Sequence, residues 1–83
     1  MEQHIGEIKH FFNKAGVMVI DLTGDLSVGD TIKIKRGEDE FEQEVISMQI
    51  DHEDVQSAGK GQEVAVKAKE KTREGHSVYR IDS

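Results

Sequence analysis

Apolar and polar residues alternate with a period of two along most of this chain, the signature of strands with one buried face. The cleanest stretch is Thr31 to Arg36, where Ile32 and Ile34 alternate with Lys33 and Lys35. Val64, Val66 and Ala68 likewise alternate with Lys67 and Lys69 between Glu63 and Lys69. A first strand is expected from His4 to Phe12, with Ile8, His10 and Phe12 on one side and Phe11 on the other. Gly6 interrupts it and marks a bulge. Val17 to Leu22 is β-branched and apolar on both faces, which predicts a central strand. Glu40 to Ile50 changes phase: Phe41, Gln43 and Val45 share one parity, Ile46, Met48 and Ile50 the other. A bulge near Val45 and Ile46 reconciles the two. Val78 to Ile81 supplies the last strand.

Turn residues punctuate these segments. Asn13 to Gly16, Thr23 to Asp25, Gly37 to Asp39 and Thr72 to Gly75 are connections. Asp51 to Gly61 reads as the longest loop, anchored inward by Val55 and Ala58. A helix over Gln62 to Thr72 is the rival reading, because Ala, Lys and Glu favour helix. Its period of two and the flanking Gly61 and Gly75 decide for a strand. Short strands at this spacing predict a sandwich or barrel, and closure removes edges on which so small a sheet would aggregate. The expected fold is therefore all-β, a six-stranded closed Greek-key β-barrel forming a single domain over residues 1–83.

Composition narrows the chemistry. The chain has 83 residues, no cysteine and no proline, which excludes disulfides and thiolate metal sites. No apolar run is long enough for a membrane span and no signal-peptide pattern is present, so a cytoplasmic monomer is expected. The net charge of −6 argues against sequence-blind nucleic-acid binding, which rests on neutralising phosphates. Charge is uneven, however. Glu38 to Asp54 holds eight acids and no Lys or Arg, whereas Lys60 to Arg73 holds five bases against two acids.

Four histidines, His4, His10, His52 and His76, lack metalloprotein spacing. Asp51-His52-Glu53-Asp54 is the densest ligand cluster, but it lacks the spacing and glycine of a calcium loop. No serine sits in a nucleophile elbow, and no activating base stands at a recognisable spacing. Neither an enzyme nor a cofactor is expected. The outward residues Lys33, Lys35 and Arg36, with Lys67, Lys69, Lys71 and Arg73, would form a positive patch if their strands shared a face.

The run Leu26-Ser27-Val28-Gly29-Asp30-Thr31-Ile32-Lys33-Ile34 resembles the L-x-V-G-D-x-I-x-I step in the second domain of elongation factor Tu and initiation factor two. Ser47-Met48-Gln49, then Ala58-Gly59 with Gly61, Val64 and Ala65, and finally Arg73-Glu74-Gly75-His76 match the following motifs in order. His76 replaces the usual Asp of the last. The resemblance runs from about Ile5 to Ile81. The chain also resembles the elongation-factor-like proteins of archaea. It is similar, too, to the C-terminal barrel of the collagenase-like peptidase family, some of whose members modify RNA.

The resemblance implies an elongation-factor domain 2 type of barrel and a non-enzymatic binding module linked to translation, with tRNA, rRNA or a translation-factor partner. GTP is excluded, because no G-x-x-x-x-G-K-[ST] loop exists to hold phosphates. If Gly16 is aligned with the glycine following the first strand, Glu7 takes the place of the first acid that contacts the tRNA end. Ile8 then replaces the second. The expected RNA contacts are thus Lys33, Lys35, Arg36, Lys67, Lys69, Lys71, Arg73 and Glu7. The alternative is a protein-interaction module: an appended accessory barrel that docks a partner enzyme, or an acidic segment, Glu38 to Asp54, that meets a basic partner.

Overall fold

The computed structural model describes residues 2–81, and every regular element among them is a strand. They are β1 (Glu2–Phe12), β2 (Val17–Leu22), β3 (Leu26–Ser27), β4 (Thr31–Arg36), β5 (Asp39–Glu44), β6 (Met48–Ile50), β7 (Glu53–Val55), β8 (Ser57–Ala58), β9 (Glu63–Lys67) and β10 (Ser77–Ile81). Eight of them form one antiparallel sheet in the order β5-β4-β10-β1-β2-β9-β6-β7, and β3 pairs with β8. The expectation of an all-β chain holds. The six-stranded closed barrel does not describe the pairing: the large sheet ends on β5 at one side and β7 at the other, with no ladder between them among the described residues. No helix among the described residues is long and apolar enough to cross a membrane.

One apolar core lies under the inward face of the large sheet. Ile5, Ile8, Met18, Ile20, Leu22, Ile32, Ile34, Val64, Val66 and Val78 project into it from the central strands. Hydrophobic burial of this kind is the main favourable term of folding. Leu26 and Ala58 add the small sheet to the same core. The predicted inward positions of β4 and β9 are those observed.

Strand β1 departs from simple alternation. Its register shifts between His4 and Gly6 against β10, and between Ile8 and His10 against β2. Each irregularity adds a residue, so Ile5, Ile8 and Phe11, three apart, all turn inward. Phe12 is left 48% exposed and His10 lies outside, correcting the expected face of Ile8, His10 and Phe12. Gly6 is required by close approach: a Cβ there would stand 2.5 Å from the Asp21 carbonyl oxygen.

The phase change after Phe41 proves to be a corner. Val45 is fully buried, and its backbone donates to Asp30 O (2.8 Å) and accepts from Gly29 N (2.8 Å). The Asp30 carboxylate in turn accepts a 2.8 Å bond from Ser27 N, while Asp30 N donates back to Ser27 O at 3.1 Å. These bonds hold the chain while it passes from β4's side to β9's side, splitting the expected strand into β5 and β6. The expected long loop contains β7 and β8. It folds back because Val55 pairs with Met48 and Ala58 with Leu26.

Candidate docking surface

The basic residues do not gather into a phosphate-binding face. Lys33 is 9% exposed, ion-paired to Glu2, with Glu40 at 3.7 Å. The Glu2 hydrogen bond holds the Lys33 ammonium above its ordinary pKa and the Glu2 carboxyl below its own. Lys35 lies 4.7 Å over the Tyr79 ring. Arg36 covers the Phe41 ring at 4.7 Å, donates to Lys71 O at 2.8 Å, and pairs with Asp39 (2.6 Å) and Glu70 (3.1 Å). The expected outward triplet of β4 is therefore folded down onto acids and rings. A cation so paired must break those contacts before it can meet a phosphate.

Lys67, Lys69, Lys71 and Arg73 are exposed, but three strands, β10, β1 and β2, separate β4 from β9 in the sheet. Glu7 is exposed on β1 opposite Asp21 and Ser77. Among the described residues Arg36, Lys71 and Arg73 come together around a cleft of about 750 Å³ that also holds Asp39, Glu74 and His76. Carboxylates answer cations there. Thr72 Oγ1 and His76 Nδ1 lie 2.8 Å apart in its wall. Burial, then the charges of Arg73 and Arg36, lower the His76 pKa. No group of three or more potential metal ligands assembles among the described residues, so Asp51, His52, Glu53 and Asp54 do not converge.

A different surface has the makings of an interface. Val17 and Val19 face outward from β2, beside Ala65 of β9, and all three are only half covered. They floor a groove of about 510 Å³ with Phe12 and Ala15 at one end. His10 stacks edge-on against Phe12, with ring centres 4.8 Å apart. The polar rim consists of Asp51, His52, Gln49 and Glu63, the last held by an ion pair with Lys9. An apolar floor with a polar rim is the anatomy of protein–protein contacts.

The far rim is built at a conformational cost. Asp51 (φ 50°) and His52 (φ 66°) form the two-residue turn between β6 and β7, across which Ile50 pairs with Glu53. Two consecutive left-handed residues suit a type I′ hairpin, whose preferred sequence is Asn-Gly. Here a carboxylate and an imidazole occupy those positions instead. Backbone strain kept at a surface turn points to what the side chains do. The two-sided apolar character of β2 was the sequence signal for this surface. Phe12 escaped it because the bulge between Ile8 and His10 reversed its parity relative to Ile8.

Over 76 residues, 90% of its length, the chain is 45% identical to an uncharacterized protease of Methanocaldococcus jannaschii, of which it spans 19%. It superposes on the C-terminal domain of a putative U32 peptidase of Geobacillus thermoleovorans with a TM-score of 0.89. That match has 14% identity and covers 96% of this chain and 93% of the other. A selenomethionine variant of the same domain gives 0.88 and 16%, covering 95% and 99%. At these identities the likeness is one of fold. No family model matches the chain. The expected translation- or RNA-linked module is overturned by these matches, which lie with peptidase proteins and not with translation factors. The keywords of that expectation, translation and elongation factor, fall with it.

Proposed function

We propose that this chain is an accessory domain of a U32-peptidase-like, cytoplasmic protein, and that it docks protein instead of performing catalysis. The observation that carries the reading is the apolar outer face of β2 and β9, where Val17, Val19 and Ala65 lie half covered beside an exposed Phe12. Its occupant is the remainder of the peptidase-like protein, the part that this chain does not match. Asp51 at the rim, on a chain of net charge −6, favours an apolar patch bordered by basic residues on that partner. The similarity to a protease over a fifth of its length supports a role as one part among several.

Calorimetric titration of this chain into the Methanocaldococcus protease, deleted for its matched segment, tests the reading. Saturable binding is expected, with Val19→Arg weakening it by about ten-fold or more, as a charge in the centre of an apolar contact does. Binding that Val19→Arg leaves unchanged would remove the outer face from the interface, and no binding at all would refute the docking reading.

A further inference from the structure

Strand β5 has one free edge. It pairs with β4 from Asp39 to Glu44, and no backbone hydrogen bond leaves its other side among the described residues. Across from that edge runs the end of β9 and its continuation to Lys69. There, Lys67 O and Lys69 N are bonded by a side chain: Gln43 Nε2 donates to Lys67 O at 2.7 Å, and Lys69 N donates to Gln43 Oε1 at 2.7 Å. A carbonyl at one residue and an amide two residues later, both answered by the N–H and C=O of a single residue opposite, is the bonding of a parallel ladder. The Gln43 side-chain amide thus supplies the donor and acceptor that one residue of a neighbouring strand would supply.

The gap it spans is apolar at its floor. Gln43, Ile46, Val66, Ala68 and the stems of Lys67 and Lys69 bound a groove of about 560 Å³. Ile46 is 73% exposed at its mouth, the most exposed large apolar side chain among the described residues. The corner bonds of Val45 fix it there. On the outer face, Glu42 and Glu44 stand on one bank and Lys67 and Lys69 on the other, all exposed. None of these four forms an ion pair among the described residues. The banks are balanced in charge, so a strand between them needs no net charge of its own.

We propose that this seam is a strand-addition slot for an extended peptide. The incoming segment displaces the Gln43 amide from Lys67 and Lys69 and seats an apolar side chain on Ile46, Val66 and Ala68. It presents uncharged polar residues to the outer face. Main-chain bonds give such recognition its affinity and the alternate side chains its selectivity. The occupant is one alternating apolar and polar strand of a protein partner. The proposal rests on the docking reading for its biological partner, but the slot can be tested without that partner.

The probe is a short capped peptide of alternating threonine and valine, followed by amide NMR of the intact chain. A control peptide carries proline at the central position, which removes the ladder donor. Saturable shifts confined to Lys67–Lys69, Glu42–Glu44 and Ile46 are expected, with loss of the Gln43 side-chain amide protection. The proline peptide should produce none. Gln43→Ala, which removes the competitor for two hydrogen bonds, should tighten binding about five-fold or more. Gln43→Glu keeps the acceptor but not the donor, and should bind between the two. The absence of saturable shifts at ~1 mM peptide, a very weak limit, would overturn the proposal, as would equal binding of the proline control. Val19→Arg leaves the seam intact, so loss of docking in that variant with peptide binding retained separates failure of one reading from failure of the other.

Discussion

Individual side chains here are assigned by what they touch more than by where their strand points. Lys33 has the outward parity that its sequence predicts, yet Glu2 from a strand two places away closes over it. No sequence pattern shows that partner, because it lies thirty-one residues away. His76 is the same kind of residue. A histidine in a turn reads as solvated, but it is placed against Thr72 and between two arginines that burial alone brings near. Its pKa is lowered on folding, so the unfolded chain binds the proton more readily. Stability from His76 is therefore complete above its unfolded pKa, about 6.5, and is lost as pH falls through the folded value. Denaturation at a series of pH values should show stability falling below that point, and His76→Gln should flatten the dependence there. An unchanged slope in the variant would mean that other groups carry it.

Elements were legible where pattern and packing agree. The alternation of Ile32 and Ile34 with lysines set β4, and the β-branched run Val17 to Leu22 set β2, because neighbouring strands ask the same of those positions. Strand β1 was misread in its second half, since a bulge is a relation between two strands and leaves little mark in either one. Only Gly6 announced one of the two. The expected loop from Asp51 to Gly61 hides strands of three and two residues, too short to show alternation, the first of them carrying two acids. Replacing Asp51 and His52 by Asn and Gly would relieve two left-handed residues, and should raise stability by about 1 kcal/mol in urea unfolding. The same change should weaken docking to the peptidase-like body, since it strips the rim of a charge and a ring. A variant that gained stability and docked as well as before would show the turn to be strain without function.

At the scale of the molecule, an eight-stranded sheet and a two-stranded one bury a single core and keep two unusual features on the outside. One is an outer face with apolar residues, the other an edge bridged by a single glutamine. Chains this short bury a modest fraction of their surface, about 60%, and have little apolar area to spare. Leaving Phe12 and Ile46 in water is the opposite of what stability alone would select. The sequence resemblance to translation-factor barrels rested on turn and strand motifs, which report how a chain bends and not what its surface meets. The C-terminal domain of the putative U32 peptidase shares the architecture, and Lys33, Lys35 and Arg36, three of the cations expected to meet RNA, are engaged with acids and rings.

Methyl NMR of this chain bound to the truncated Methanocaldococcus protease tests the docking claim most directly. The Val17, Val19 and Ala65 methyl signals should shift and become protected from a soluble paramagnetic probe, while the buried methyls of Ile20 and Val64 keep their positions. If those three remained as open to the probe in the complex as in the free chain, the outer face of β2 and β9 would not be where this domain meets its partner.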